Sequence, residues 1–118
     1  MMVPMALAIE IEIEHFDHHD VVRINGRLDA LTALYLEKAL DDLRGGGRHQ
    51  LLMDFANVDY LSSAGMRVLL ATAKKLKKKG GKCLFCSIND DVMEMIKMAG
   101  FEQILAIYLT EEDALAAI

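Results

Sequence analysis

Residues 58–70 read Val-Asp-Tyr-Leu-Ser-Ser-Ala-Gly-Met-Arg-Val-Leu-Leu. They join an apolar strand, Gln50 to Phe55 (QLLMDF), to an amphipathic helix expected from about Ala64 to Lys79. Two adjacent hydroxyls, Ser62 and Ser63, fall where the strand ends and the helix begins. A helix start has free amide donors and the positive end of the dipole, so a serine there caps the helix. The same field accommodates a phosphate. The pair therefore reads either as an ordinary cap or as a place where charge is switched.

Upstream, Ile9, Ile11 and Ile13 alternate with Glu10, Glu12 and Glu14, the period of a strand with one wet face. His15 to Asp20 (HFDHHD) reads as a solvated hairpin turn to a second strand at about Val21 to Leu28. Three histidines there invite a metal reading, but no ligand set emerges from the spacing. A first helix is expected from about Ala30 to Arg44, with Ala33, Leu36, Leu40 and Leu43 on one face and Glu37, Lys38, Asp41 and Asp42 toward water. Asp29 or Thr32 caps it and Gly45-Gly46-Gly47 ends it. The apolar third strand belongs at the sheet centre, with Asp54 as its polar end.

Downstream, the second helix buries Met66, Leu69, Leu70, Ala73 and Leu76 and stops at Gly80-Gly81. A strand from Lys82 to Ser87 follows, then a helix from about Asp90 to Ala99, capped by Asn89 or Asp90, with Val92, Met93 and Ile96 inward. A short strand around Leu105 to Tyr108 precedes a last helix, where Thr110-Glu111-Glu112-Asp113 resembles a capping box. The order is ββαβαβαβα. It predicts a single α/β domain over residues 1–118, with a mixed, mostly parallel central sheet and helices mainly on one side. Residues 1–7 read as a ragged N-terminus.

A chain of 118 residues, 53% of them hydrophobic, can bury one real core. No apolar run approaches the roughly 18 to 20 residues of a membrane helix. The opening MMVPMALAI is short and lacks a basic region, so a signal peptide is not expected and the cytoplasm is. A net charge of −5 argues against nucleic acid as a direct partner. The cluster Lys74, Lys75, Lys77, Lys78, Lys79 and Lys82 reads as a solvated helix end that complements the dipole. Cys83 and Cys86 form a CxxC in a strand, where a spacing of three points the sulfurs to opposite faces. They are expected to be structural thiols, neither disulfide nor metal site. No nucleophile elbow, Walker loop or dinucleotide fingerprint is present, so neither an enzyme nor a cofactor nor a metal is expected.

The segments Asn25-Gly26-Arg27-Leu28-Asp29-Ala30-Leu31-Thr32, DFANVDYLSSAG (54–65) and GKCLFCSINDDVMEMIKMAGFEQIL (81–105) together resemble the STAS domain family. The likeness is greatest to its small single-domain bacterial anti-sigma factor antagonists and runs from about Ala8 to Ile118. That resemblance implies a protein whose unmodified form binds an anti-sigma serine kinase and frees a sigma factor, with a phosphatase as a further partner. It places the phosphorylated serine on Ser63. Ser62 stands where an acidic residue is usual and becomes a lesser candidate, and Ala64 stands where a hydroxyl is usual. The implied partner surface takes in Asp29, Thr32, Asp59, Ser62, Ser63, Ala64, Gly65 and Arg67. Met95 and Met98 are candidates for adaptable apolar contacts at its edge, with a core role equally open for Met98. The resemblance also admits a stand-alone subunit of a transport or stress-signalling assembly that works without phosphorylation, and nucleotide binding.

Overall fold

Alternation of isoleucine and glutamate gives β1 (Ile9–His15) one dry and one wet face, and it pairs antiparallel with β2 (Asp20–Leu28). The computed structural model describes residues 9–118, and the ragged opening expected at residues 1–7 lies outside them. The chain continues through α1 (Thr32–Gly45), β3 (Gln50–Leu61), α2 (Ser63–Lys78), β4 (Lys82–Cys86), α3 (Asp90–Met98), β5 (Ala106–Tyr108) and α4 (Glu111–Leu115). The five strands lie in one sheet in chain order, and every pair after the first is parallel. Element order and mixed sheet match the sequence expectation.

Chain-order strands explain where the helices lie. From β2 onward each crossover steps to the next strand in the same direction, and parallel crossovers share one hand, so α1, α2 and α3 fall on one face. Leu36, Leu40, Met66, Leu69, Val92 and Ile96 meet Met53, Phe55 and Phe85 there, with the two phenyl rings edge to face at 5.7 Å. The last described helix, α4, closes the other face over Val21, Leu52, Leu84 and Cys86 through Ala114. Arg23 anchors it: the guanidinium donates to Glu111 at 2.6 Å, Asp54 at 2.8 Å and Glu14 at 2.7 Å.

Three expectations need correction. β3 does not end at Phe55 but runs to Leu61, because its pairing with β2 continues to Leu28 through two bulges that each insert an extra residue. Bulges break the alternation by which a strand is recognised. Asp54 is consequently mid-strand, bound to Arg23, and not a polar end. On α3, Met95 and not Met93 packs against the main core.

The HFDHHD turn is held by a buried charge. Asp20 is fully buried and accepts from Arg48 Nε at 2.7 Å, with His15 Nδ1 at 2.6 Å. Arg48 also donates to the carbonyls of Phe16 and His19, and it stays protonated well above its ordinary range because Asp20 faces it. His19 stacks on Phe16.

The two cysteines are parted by the sheet itself. Cys83 joins the helix-covered core, whereas Cys86 joins the cluster under α4. Burial pushes the Cys83 thiol up to about 12 and raises that of Cys86. Since the thiolate is the reactive species, neither cysteine should react with dithionitrobenzoate in the folded protein, and labelling should follow unfolding. A thiol labelled stoichiometrically under native conditions would contradict this placement.

Candidate functional site

Parallel pairing sets the C-terminal ends of β2 and β3 side by side, with Leu28 opposite Leu61. The pairing continues one residue further, as Ser62 N–H donates to the Leu28 carbonyl at 2.8 Å. The loop after β2 and the start of α2 are thereby fastened together. Gly65 makes this approach possible: a β-carbon there would lie 2.9 Å from Leu61 Cδ1 and 3.1 Å from the Leu28 carbonyl oxygen. A larger residue must push the Leu61 side chain aside and crowd the Leu28 carbonyl.

The two serines divide the roles that sequence left open. Ser62 is extended (φ −84°, ψ 171°), and its hydroxyl accepts from Gly65 N–H at 3.1 Å, so it is the N-cap of α2. Ser63 is the first helical residue, exposed, and makes no side-chain hydrogen bond among the described residues. The first turn of α2 holds no acidic side chain, whereas α3 opens with Asp90 and Asp91 and α4 with Glu111, Glu112 and Asp113. The positive end of the α2 dipole is left uncompensated by its own helix.

Asp29 and Thr32 shape the neighbouring loop. The Asp29 carboxylate accepts from Leu31 N–H at 3.0 Å and Thr32 N–H at 2.9 Å. The Thr32 hydroxyl donates back to the Arg27 carbonyl at 2.6 Å. Regular helix begins at Thr32 and not at Ala30, because Asp29 binds these amides in a turn before it. Those backbone hydrogen bonds, led by that from Thr32, hold the Asp29 carboxyl below the ordinary aspartate range.

Of the residues proposed for partner binding, Ser63, Asp59 and Arg67 are exposed, while Asp29, Ser62 and Ala64 are half-buried. Thr32 and Gly65 are buried, so they form the surface from below and do not present side chains to it. Met98 is 81% exposed, whereas Met95 belongs to the core edge. Sequence reasoning missed Leu31 and Leu34, both exposed beside Asp29, and the Arg27 guanidinium lying 4.3 Å over the Tyr60 ring. A signal existed: Leu34 falls outside the Ala33-Leu36-Leu40-Leu43 stripe. The Arg27–Tyr60 pair depends on the bulged register, which no local pattern announces.

The family model of the STAS domain matches residues 10–114. This chain belongs to the STAS domain family. The anti-sigma F factor antagonist of Paenibacillus polymyxa is 28% identical over 111 residues, covering 93% of this chain and 95% of the relative. An anti-sigma factor antagonist from Mycobacterium paratuberculosis, known from its crystal structure, is 29% identical and covers 93% of each chain with a TM-score of 0.84. The Bacillus cell fate determinant SpoIIAA in its phosphorylated form shares the fold, with a TM-score of 0.70 over 92% of this chain and 98% of its own at 16% identity. Among the described residues of this STAS domain, no helix is long and apolar enough to cross a membrane.

Two stability measurements probe the junction of this STAS domain. Ser62→Ala should cost about 0.5–2 kcal/mol through the lost cap, and Ser63→Ala should stay within about 0.5 kcal/mol. Equal losses in urea denaturation would reassign it. For Asp29, the depressed folded-state pKa means its stabilisation is present above the ordinary aspartate value and fades as pH falls through the lowered one. The gap in urea midpoint between wild type and Asp29→Ala should therefore shrink on acidification past about 3.9. A gap that is constant with pH would show that its hydrogen bonds do not depend on charge.

Proposed function

We propose that this chain is an anti-sigma factor antagonist. Its unmodified form binds an anti-sigma factor that is a serine kinase, releasing the sigma factor, and phosphorylation of Ser63 ends that binding. A phosphatase acting on the same residue resets it. The protein acts by binding in the cytoplasm and performs no catalysis of its own.

The observation that carries this reading is the separation of the two hydroxyls: Ser62 is used in the cap and Ser63 is not. Modifying Ser63 leaves the cap of α2 in place. Phosphorylation adds about −1.5 to −2 charges at neutral pH, and the uncompensated helix start favours such charge by about 0.3–1 kcal/mol. The domain therefore stays folded in both states. A partner presenting carboxylates to the same surface meets like charge, which costs several kcal/mol at an interface. Leu31 and Leu34 supply the apolar centre of that surface, and Asp29, Asp59 and Arg67 its polar rim.

Mass spectrometry after incubation with the host's anti-sigma kinase and ATP should find phosphate on Ser63. Ser63→Ala should bind the kinase constitutively. Ser63→Glu should bind more weakly than wild type but less weakly than phosphoprotein, since a carboxylate carries less charge. Phosphate on Ser62 alone would move the acceptor by one residue. Unmodified serines with unchanged mutant affinities would mean a STAS domain working without this switch.

A further inference from the structure

The far end of α2 carries a second surface that the proposed antagonist function does not use. Leu70 and Ala73, expected to be core, are only half-buried, because they form one wall of a groove of roughly 390 Å³. Cys83 and Ala106 of the adjoining strands, with Ile104 just before β5, complete its apolar lining, and Ile104 is 61% exposed. Lys74, Lys77 and Lys82 line it too, and no carboxylate does. Lys74 and Lys77 make no ion pair among the described residues, whereas Lys75 reaches Asp41. The lysine cluster thus does more than complement a helix dipole: part of it borders an apolar groove.

We infer that this groove is a second docking surface, and that its occupant is an acidic amphipathic helix of a partner protein. Charge complementarity supports that occupant. The chain's net charge is −5, yet six of its 13 lysines and arginines lie between Lys74 and Lys82, so an acidic partner is repelled by most of the molecule and drawn to this end. Lys74 and Lys77 stand three residues apart on α2, about 4.5 Å along its axis, which matches carboxylates spaced three or four residues apart on a facing helix. Apolar side chains of the same helix would cover Leu70, Ala73 and Ile104. Lys77 lies fourteen residues beyond Ser63, about 21 Å along the helix. A partner here and a kinase at the serine end can therefore bind together.

The test uses a fluorescein-labelled peptide of about 18 residues, roughly 27 Å as a helix, with leucine on one face and glutamate on the other. Its anisotropy should report saturable binding, and amide shifts in the labelled protein should centre on Leu70, Ala73 and Ile104. Ile104→Glu and the double change Lys74→Glu/Lys77→Glu should each weaken binding about tenfold or more, roughly 1.4 kcal/mol. Lys38→Glu, a single lysine reversal on an exposed site elsewhere, should leave it within about twofold. All four positions are solvent-exposed, so each variant should fold, as thermal melts would verify. No binding, equal binding of a scrambled peptide, or indifference to the groove variants would overturn the proposal. So would binding of oleate or of phosphatidylglycerol vesicles in place of the peptide. None of these readouts involves the kinase, so the result stands or falls apart from the Ser63 switch.

Discussion

A β-carbon at Gly65 would fall 3.0 Å from Leu28 Cβ and 2.9 Å from Leu61 Cδ1, and the organisation of the serine end follows from that close approach. Two strand ends and a helix start converge where a glycine fits without moving its neighbours. The Ser62 amide reaches the Leu28 carbonyl, the Ser62 hydroxyl reaches back to Gly65, and the Asp29 loop is brought against the start of α2. Interiors packed this tightly transmit displacement, so the positions of Asp29 and Ser63 relative to each other are set by a contact that neither makes. The glycine is a structural member of the site without touching a partner.

The sheet order imposes a second constraint. With strands laid down in chain order, three crossovers place three helices on one face, and among the described residues the other face is covered by the five-residue α4 and bordered by a row of glutamates on β1. A short helix cannot hold itself by apolar burial alone. Arg23, bonded to Glu14, Asp54 and Glu111, ties β1, β2, β3 and α4 together, and this surrounding negative charge keeps the guanidinium protonated well above its ordinary range. Breaking such a half-buried network removes several charge-assisted bonds at once. Three residues earlier on β2, Asp20 and its partner Arg48 perform the same work for the β1–β2 turn.

Along α2 the charge distribution is polar in the literal sense. Its own first turn carries no acidic side chain, and its last turn carries Lys75, Lys77 and Lys78. One helix therefore offers a surface that accepts added negative charge at one end and cationic, groove-lined surface at the other. Both ends rest on Leu69 and Leu76, which are fully buried, so binding at either place need not disturb the core between them.

By itself the sequence determined the element order, the buried face of α1 and the family, because these follow from local periodicity, caps and glycine stops. Leu36 and Leu40 on α1, Asn89 before α3 and Thr110 before α4 behave as their neighbours in the chain dictate. The candidate serine pair was legible for the same reason: a hydroxyl between a strand and a helix has few local uses. Which serine caps was not legible, because both are near the helix start and only the backbone angle at Ser62 and its distance to Gly65 decide. The true length of β3 was hidden by bulges, which exist only against a partner strand. Arg23, Asp20 and Arg48 looked like ordinary polar residues until contacts across 28 to 88 positions of chain brought them together. The lysine groove was likewise beyond reach of any local pattern. Lys74, Lys77 and Lys82 were visible as charge, but Ile104 and Ala106 arrive beside them only through the last crossover, and apolar surface next to charge is a property of tertiary placement.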